Sequence, residues 1–184
     1  MDLSGFEGIL TAAQEGSEWA WDILVRNYGP RLNRFFRIRG IADPEALVGD
    51  VFADMARNLG TFDGEEDAFR SWLFVIAYRR MADERRRLSR RPDETPTAAI
   101  PEPRQSAPSA EDEAMEAMDT ADAERLLDVL TESQRDAVSL RVVGGLSLNE
   151  TAEVMGKPVG AVKGLQRRAL ATLRRAFSQQ GVSK

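Results

Sequence analysis

Two clusters of opposite sign hold the side chains that could do chemistry in this sequence. Asp63, Glu65, Glu66 and Asp67 place four carboxylates within five residues, a density that suits a divalent cation. Neither the ligand spacing of a calcium loop nor its closing glutamate accompanies them, so Glu65, Glu66 and Asp67 are expected to form an acidic surface loop. The second cluster runs from Lys157 to Lys184 and holds three lysines, four arginines and no acid. The chain as a whole has a net charge of −5 and a pI near 5.0, so bulk composition does not explain this bias. A helix entering a DNA groove has phosphates on both sides, where a carboxylate would be repelled. Arginine and lysine serve there both as phosphate ligands and as donors to guanine O6 and N7. The sequence contains no histidine and no cysteine. It therefore lacks the commonest general base, any thiol nucleophile and any thiolate zinc site. Binding without catalysis, and with no metal or cofactor, is the expectation.

Charge also divides the chain. Residues 1–91 carry 14 basic and 15 acidic side chains, whereas 92–120 carry one arginine and eight acids. Pro92, Pro96, Pro101, Pro103 and Pro108 fall in that acidic stretch, which has too little apolar bulk to offset its ordering entropy. It is expected to be a flexible linker over 92–118, joining a domain over 1–91 to another over 119–184. No apolar run is long enough to span a bilayer and no signal peptide opens the chain, so a cytoplasmic protein is expected.

The elements that must position these residues are predicted to be helices throughout. Gly16 suits a helix end and Ser17 an N-cap, after which Trp19, Ile23, Leu24 and Tyr28 recur at helical spacing. Asp43-Pro44 pairs an N-cap with a first-turn proline, and Leu47, Val51, Met55 and Leu59 follow at i+4 steps. Phe69, Leu73, Ile76 and Ala77 begin a further helix that ends in a basic run. In the C-terminal part, Thr131 with Gln134 and Ser147 with Glu150 have capping-box spacing. Gly156 stops a short helix, Pro158 suits the first turn of the next, and Val162, Leu165, Ala169 and Leu173 form its apolar stripe. A short helix and a long basic one joined around Gly156 is helix-turn-helix grammar. The fold class expected is all-α, with two small helical domains.

At this point the sequence resembles a known family. "GLSLNETAEVMGKPVGAVKGLQRRAL" is similar to region 4 of bacterial sigma factors of the extracytoplasmic-function group. "DPEALVGDVFADMARNLGTFDGEEDAFRSWLFVIAYRRMADERRR" is similar to region 2 of the same group, and "GSEWAWDILVRNYGPRLNRFFRIRG" extends the likeness toward the N-terminus. The resemblance implies a sigma factor that binds core RNA polymerase, directs promoter-specific initiation, and is controlled by an anti-sigma factor.

It also implies roles for residues. Lys157, Lys163, Gly164, Arg167 and Arg168 fall at the positions that read the −35 element, with Gly164 in place of the small polar or basic residue frequent there. Asn58, Phe62 and Asp63 correspond to the flipped-base pocket of the −10 element, where a base leaving its stack needs an apolar wall and polar groups. Arg70, Arg79 and Arg80 are the candidates for the single-stranded backbone, and Trp72 is expected in the core. Glu45, Leu47, Val48 and Asp50 match the polymerase-clamp helix, with Ala46 and Gly49 replacing an acid and a glutamine common in the family. Two other classes compete with this reading. A helix-turn-helix repressor would need an effector pocket in its first domain, which the pattern does not predict, and an enzyme would need the acidic cluster to hold metal.

Overall fold

The computed structural model describes residues 5–89 and 127–180. The segment expected as a linker, and the expected start of the second domain at 119, lie outside the described residues. Within them every regular element is helical: α1 (Phe6–Gln14), α2 (Glu18–Ile38), α3 (Pro44–Asn58), a 3-10 turn (Leu59–Thr61) and α4 (Glu66–Ser89), then α5 (Glu132–Val142), α6 (Leu148–Met155) and α7 (Val159–Gln180).

The predicted start and stop signals are where the helices begin and end. Asp43 accepts a hydrogen bond from the Ala46 N–H at 3.0 Å and Pro44 occupies the first turn of α3. A cap of this kind contributes about 1 kcal/mol. Ser147 and Glu150 exchange bonds across the start of α6, with the Ser147 N–H donating to Glu150 at 2.6 Å and the Glu150 N–H to Ser147 at 3.2 Å. Gly156 ends α6 in the left-handed region at φ +60°, where a Cβ would be strained, and this sharp stop turns the chain into α7. Ser17 sits at the N-cap of α2, although its side chain makes no capping bond there.

The first unit packs α2, α3 and α4 around a shared core. Leu47, Val51, Met55 and Leu59 are all buried, as their i+4 spacing predicts, and each contributes about 1.5–3 kcal/mol of burial. The apolar spacing at the start of α2 is only partly realised. Trp19 is 43% exposed while Ala20 takes the inward position and Trp21 donates to the Ala13 carbonyl at 3.0 Å. Trp19 is one residue out of phase with Leu24, Tyr28 and Leu32, which fix the buried face.

Helix α4 is apolar on two sides. Phe69, Leu73 and Ala77 face one way at i+4 steps; Phe74 and Tyr78 lie on a neighbouring face. That second face meets the other unit. Gly144, at the end of α5, comes so close to the Phe74 ring that an added Cβ would lie 3.3 Å from it and 2.6 Å from the Leu140 carbonyl oxygen. Ala137, Leu140, Leu146, Ala152 and Val162 thus belong to the same buried cluster as Phe35, Phe69 and Phe74. A smaller cluster joins Ile38 of α2 to Leu127, Leu130 and Ala169.

Candidate nucleic-acid interface

The helix-turn-helix presents the predicted basic set outward. Val162 and Ala169 are fully buried on the inner face of α7, while Lys157, Lys163, Arg167 and Arg168 are exposed. None of these four cations forms an ion pair among the described residues. Gly164 is half-buried beneath the Arg168 guanidinium, and a Cβ at 164 would lie 3.3 Å from Arg168 Nη1. Arg168 therefore folds back along the helix toward its N-terminal end, the direction helical side chains favour. Arg174 and Arg175 are exposed farther along the same helix.

The predicted −10 residues sit around an aromatic wall. Phe62 stacks on Trp72 with ring centroids 5.0 Å apart and meets Phe69 edge-on at 5.6 Å. Trp72 is half-buried against the core, as expected for a packing residue. Asn58 donates to the Asp54 carbonyl at 2.8 Å, and Asp63 is exposed at the rim. The loop is pinned by a residue that sequence reasoning missed. Gln14 Nε2 donates to the carbonyls of Leu59 at 2.9 Å and Phe62 at 2.8 Å, so α1 holds the wall in place. Contacts 45 and 48 residues apart leave no local signal in the sequence.

The three arginines assigned to the DNA backbone have different surroundings. Arg79 is exposed and forms no ion pair among the described residues. Arg80 is engaged by α3, pairing with Asp54 and standing 3.9 Å from Asp50. The bond from Arg80, reinforced by Arg57, holds the Asp54 carboxyl below the usual carboxylate range. Arg70 pairs with Asp67 at 3.0 Å and its Nε is buried without a hydrogen-bond acceptor, beneath Gly145 of the second unit.

On α3, where the polymerase contact is expected, Glu45 and Asp50 are exposed and Val48 is half-buried. Leu47 is only 6% exposed and belongs to the core, so it supports α3 from within and leaves the other three as the accessible set. A cleft of about 720 Å³ brings Glu45 and Val48 together with Arg31, Arg34 and Arg37 of α2 and with Val142 of the second unit. The acidic loop does not assemble a metal site. Among the described residues no group of three or more potential ligands comes together, Glu66 instead accepting from the Tyr28 hydroxyl at 3.3 Å. No helix among them is long and apolar enough to cross a membrane.

Comparison with known proteins agrees with this arrangement. Residues 24–91 match the Sigma-70 region 2 family and residues 126–175 match Sigma-70 region 4. The chain is 36% identical over 172 residues to the ECF RNA polymerase sigma factor BldN of Streptomyces coelicolor, with 91% of this chain and 64% of BldN covered. It spans slightly less than two thirds of that relative's length. It is 32% identical over 177 residues to ECF sigma factor ShbA of Streptomyces griseus, covering 91% of this chain and 92% of ShbA. With SigD of Mycobacterium tuberculosis it shares 37% identity over 175 residues and 82% of SigD's length. Among solved structures, CnrH in complex with the cytosolic domain of CnrY superposes with a TM-score of 0.66 at 25% identity, over 93% of this chain and 96% of CnrH. Two regions in order, an all-helical fold and relatives matched over most of their length place this chain in the extracytoplasmic-function group of RNA polymerase sigma factors.

Proposed function

We propose that this chain binds core RNA polymerase through α3 and directs it to promoters by two separate contacts, performing no reaction itself. A domain over 1–91 holds the polymerase through Glu45, Val48 and Asp50 and receives the −10 element. Asn58, Phe62 and Asp63 receive a flipped base, and Arg70, Arg79 and Arg80 follow the backbone. A domain over 119–184 reads the −35 element through Lys157, Lys163, Arg167 and Arg168, with Gly164 giving Arg168 its room. The carrying observation is the outer face of α7, where four cations stand exposed without ion-pair partners beside a buried apolar stripe. An uncommitted cationic face on a helix-turn-helix suits phosphate and base-edge contact. A protein partner acting as an anti-sigma factor is proposed by analogy with CnrH, which was solved bound to the cytosolic domain of CnrY.

Reconstituted transcription from a library of randomised promoters tests the reading. Core polymerase with this chain should select a common pair of motifs, and either component alone should select none. Selection of the same sequences by polymerase alone would end the proposal.

A further inference from the structure

Helix α1 precedes the stretch that matches region 2, yet it holds the loop proposed to receive a flipped base. Gln14, the last residue of α1, spans the place where that loop changes direction. Residues 59–61 form the 3-10 turn, and Phe62 leaves it in an extended conformation at φ −78° and ψ 133°. The Leu59 carbonyl belongs to the turn and the Phe62 carbonyl to the extended chain. Gln14 Nε2 donates to both, at 2.9 and 2.8 Å. Two acceptors facing one amide fix its orientation, because only the nitrogen carries hydrogens. The remaining bonds of the turn close within it. The Phe62 N–H donates to the Leu59 carbonyl at 3.0 Å, and the Thr61 hydroxyl to the Asn58 carbonyl at 2.9 Å. The Phe62 carbonyl, by contrast, takes its bond from Gln14.

Helix α1 is itself anchored near both ends. The Phe6 ring meets Phe69 at 5.2 Å, and Trp21 Nε1 donates to the Ala13 carbonyl, next to Gln14, at 3.0 Å. Leu10, Ala12 and Ala13 are buried between these points. The Phe62 ring has supports of its own in Phe69, Trp72 and Gly64, where an added Cβ would lie 3.2 Å from it. Ring packing therefore sets the apolar wall. It does not set the backbone on either side, from which Asn58 and Asp63 project. Polar recognition of an unstacked base needs those groups held to within about 0.5 Å.

We infer that Gln14 is a positioning residue for −10 recognition. Its amide ties α1 to both arms of the bend and so fixes which base Asn58 and Asp63 accept, with no contact to DNA of its own. The inference deepens the promoter reading above and rests on it. A Gln14 that merely stabilised the unit would change binding to every sequence alike. One that positions the loop changes the ratio between bases at a single position.

Gln14 is exposed, and Met and Lys have helix propensities close to that of Gln, so substitution leaves α1 formed. The probe is a set of single-stranded oligonucleotides bearing the −10 motif selected from randomised promoters, each position varied through the four bases. Holoenzyme of core polymerase and the full chain should prefer one base at the flipped position. Gln14→Met keeps the length and loses both donors. That preference should then fall about fivefold, while preferences at the other −10 positions and on the −35 element stay unchanged. Gln14→Lys supplies N–H donors at similar reach and should restore the preference. Its added charge strengthens all oligonucleotides alike and cancels in the ratio. An unchanged preference in Gln14→Met, equal losses at every position, or no recovery in Gln14→Lys would overturn the inference and leave the promoter reading standing. Absence of any base preference in the unmodified holoenzyme would overturn both.

Discussion

Arg168 shows how much one side chain's placement depends on its neighbour. It lies over Gly164, so its guanidinium is directed toward the N-terminal end of α7, the end proposed to enter the groove. Arg168→Ala should cost about 1–3 kcal/mol on the cognate −35 element and relax preference at one position. Arg175→Ala, farther along α7, should weaken all sequences alike and lower the salt slope by about one. Holoenzyme binding to promoter variants across a salt series checks both, and equal, sequence-independent losses would reduce α7 to a basic surface. Gly164→Ala isolates the neighbour. Helix propensity should stabilise the chain by up to about 1 kcal/mol, yet preference should change only at the position Arg168 reads. The basic character of this face was legible in residue type and spacing. The overlap of Arg168 with Gly164 was not, because a rotamer depends on local packing that spacing does not specify.

Helices α3 and α4 are joined by Asp54, which binds Arg80 across the pair and Arg57 along its own helix. Its carboxyl is held below the usual carboxylate range, so the folded state binds its proton more weakly than the unfolded chain. The stability it contributes is therefore present above about pH 4 and is lost as pH falls through the lowered value. Thermal midpoints of the chain and of Asp54→Asn should differ at neutral pH and converge in acid. A constant gap would show that Asp54 acts through packing alone. Asp50 belongs to the same seam, 3.9 Å from Arg80, but its carboxylate is exposed. Asp50→Arg should abolish co-elution with core polymerase while circular dichroism stays unchanged, since Arg80 keeps Asp54. Caps and i+4 spacing made these helices legible, down to the Asp43 and Ser147 starts. What spacing could not reveal was the second apolar face of α4, because Phe74 and Tyr78 look like ordinary core positions until α5 is seen to cover them. Gln14 escaped for the same reason: its partners are distant in sequence.

Across the whole molecule, the shared core predicts how the chain comes apart. Trp19, Trp21 and Trp72 all lie in the first unit, so tryptophan fluorescence reports that unit alone, whereas far-ultraviolet dichroism reports both. The two signals should trace one coincident denaturant transition in the free chain and separate in Asp136→Ala, where the units lose their central contact. Separate curves in the unmodified chain would mean that the common core does not couple them. The pairing of Arg39 with Asp136 then does more to fix how the two units sit than to add stability. Losing one partner alone would strand the other's charge inside the seam, so positions 39 and 136 are free to vary only together.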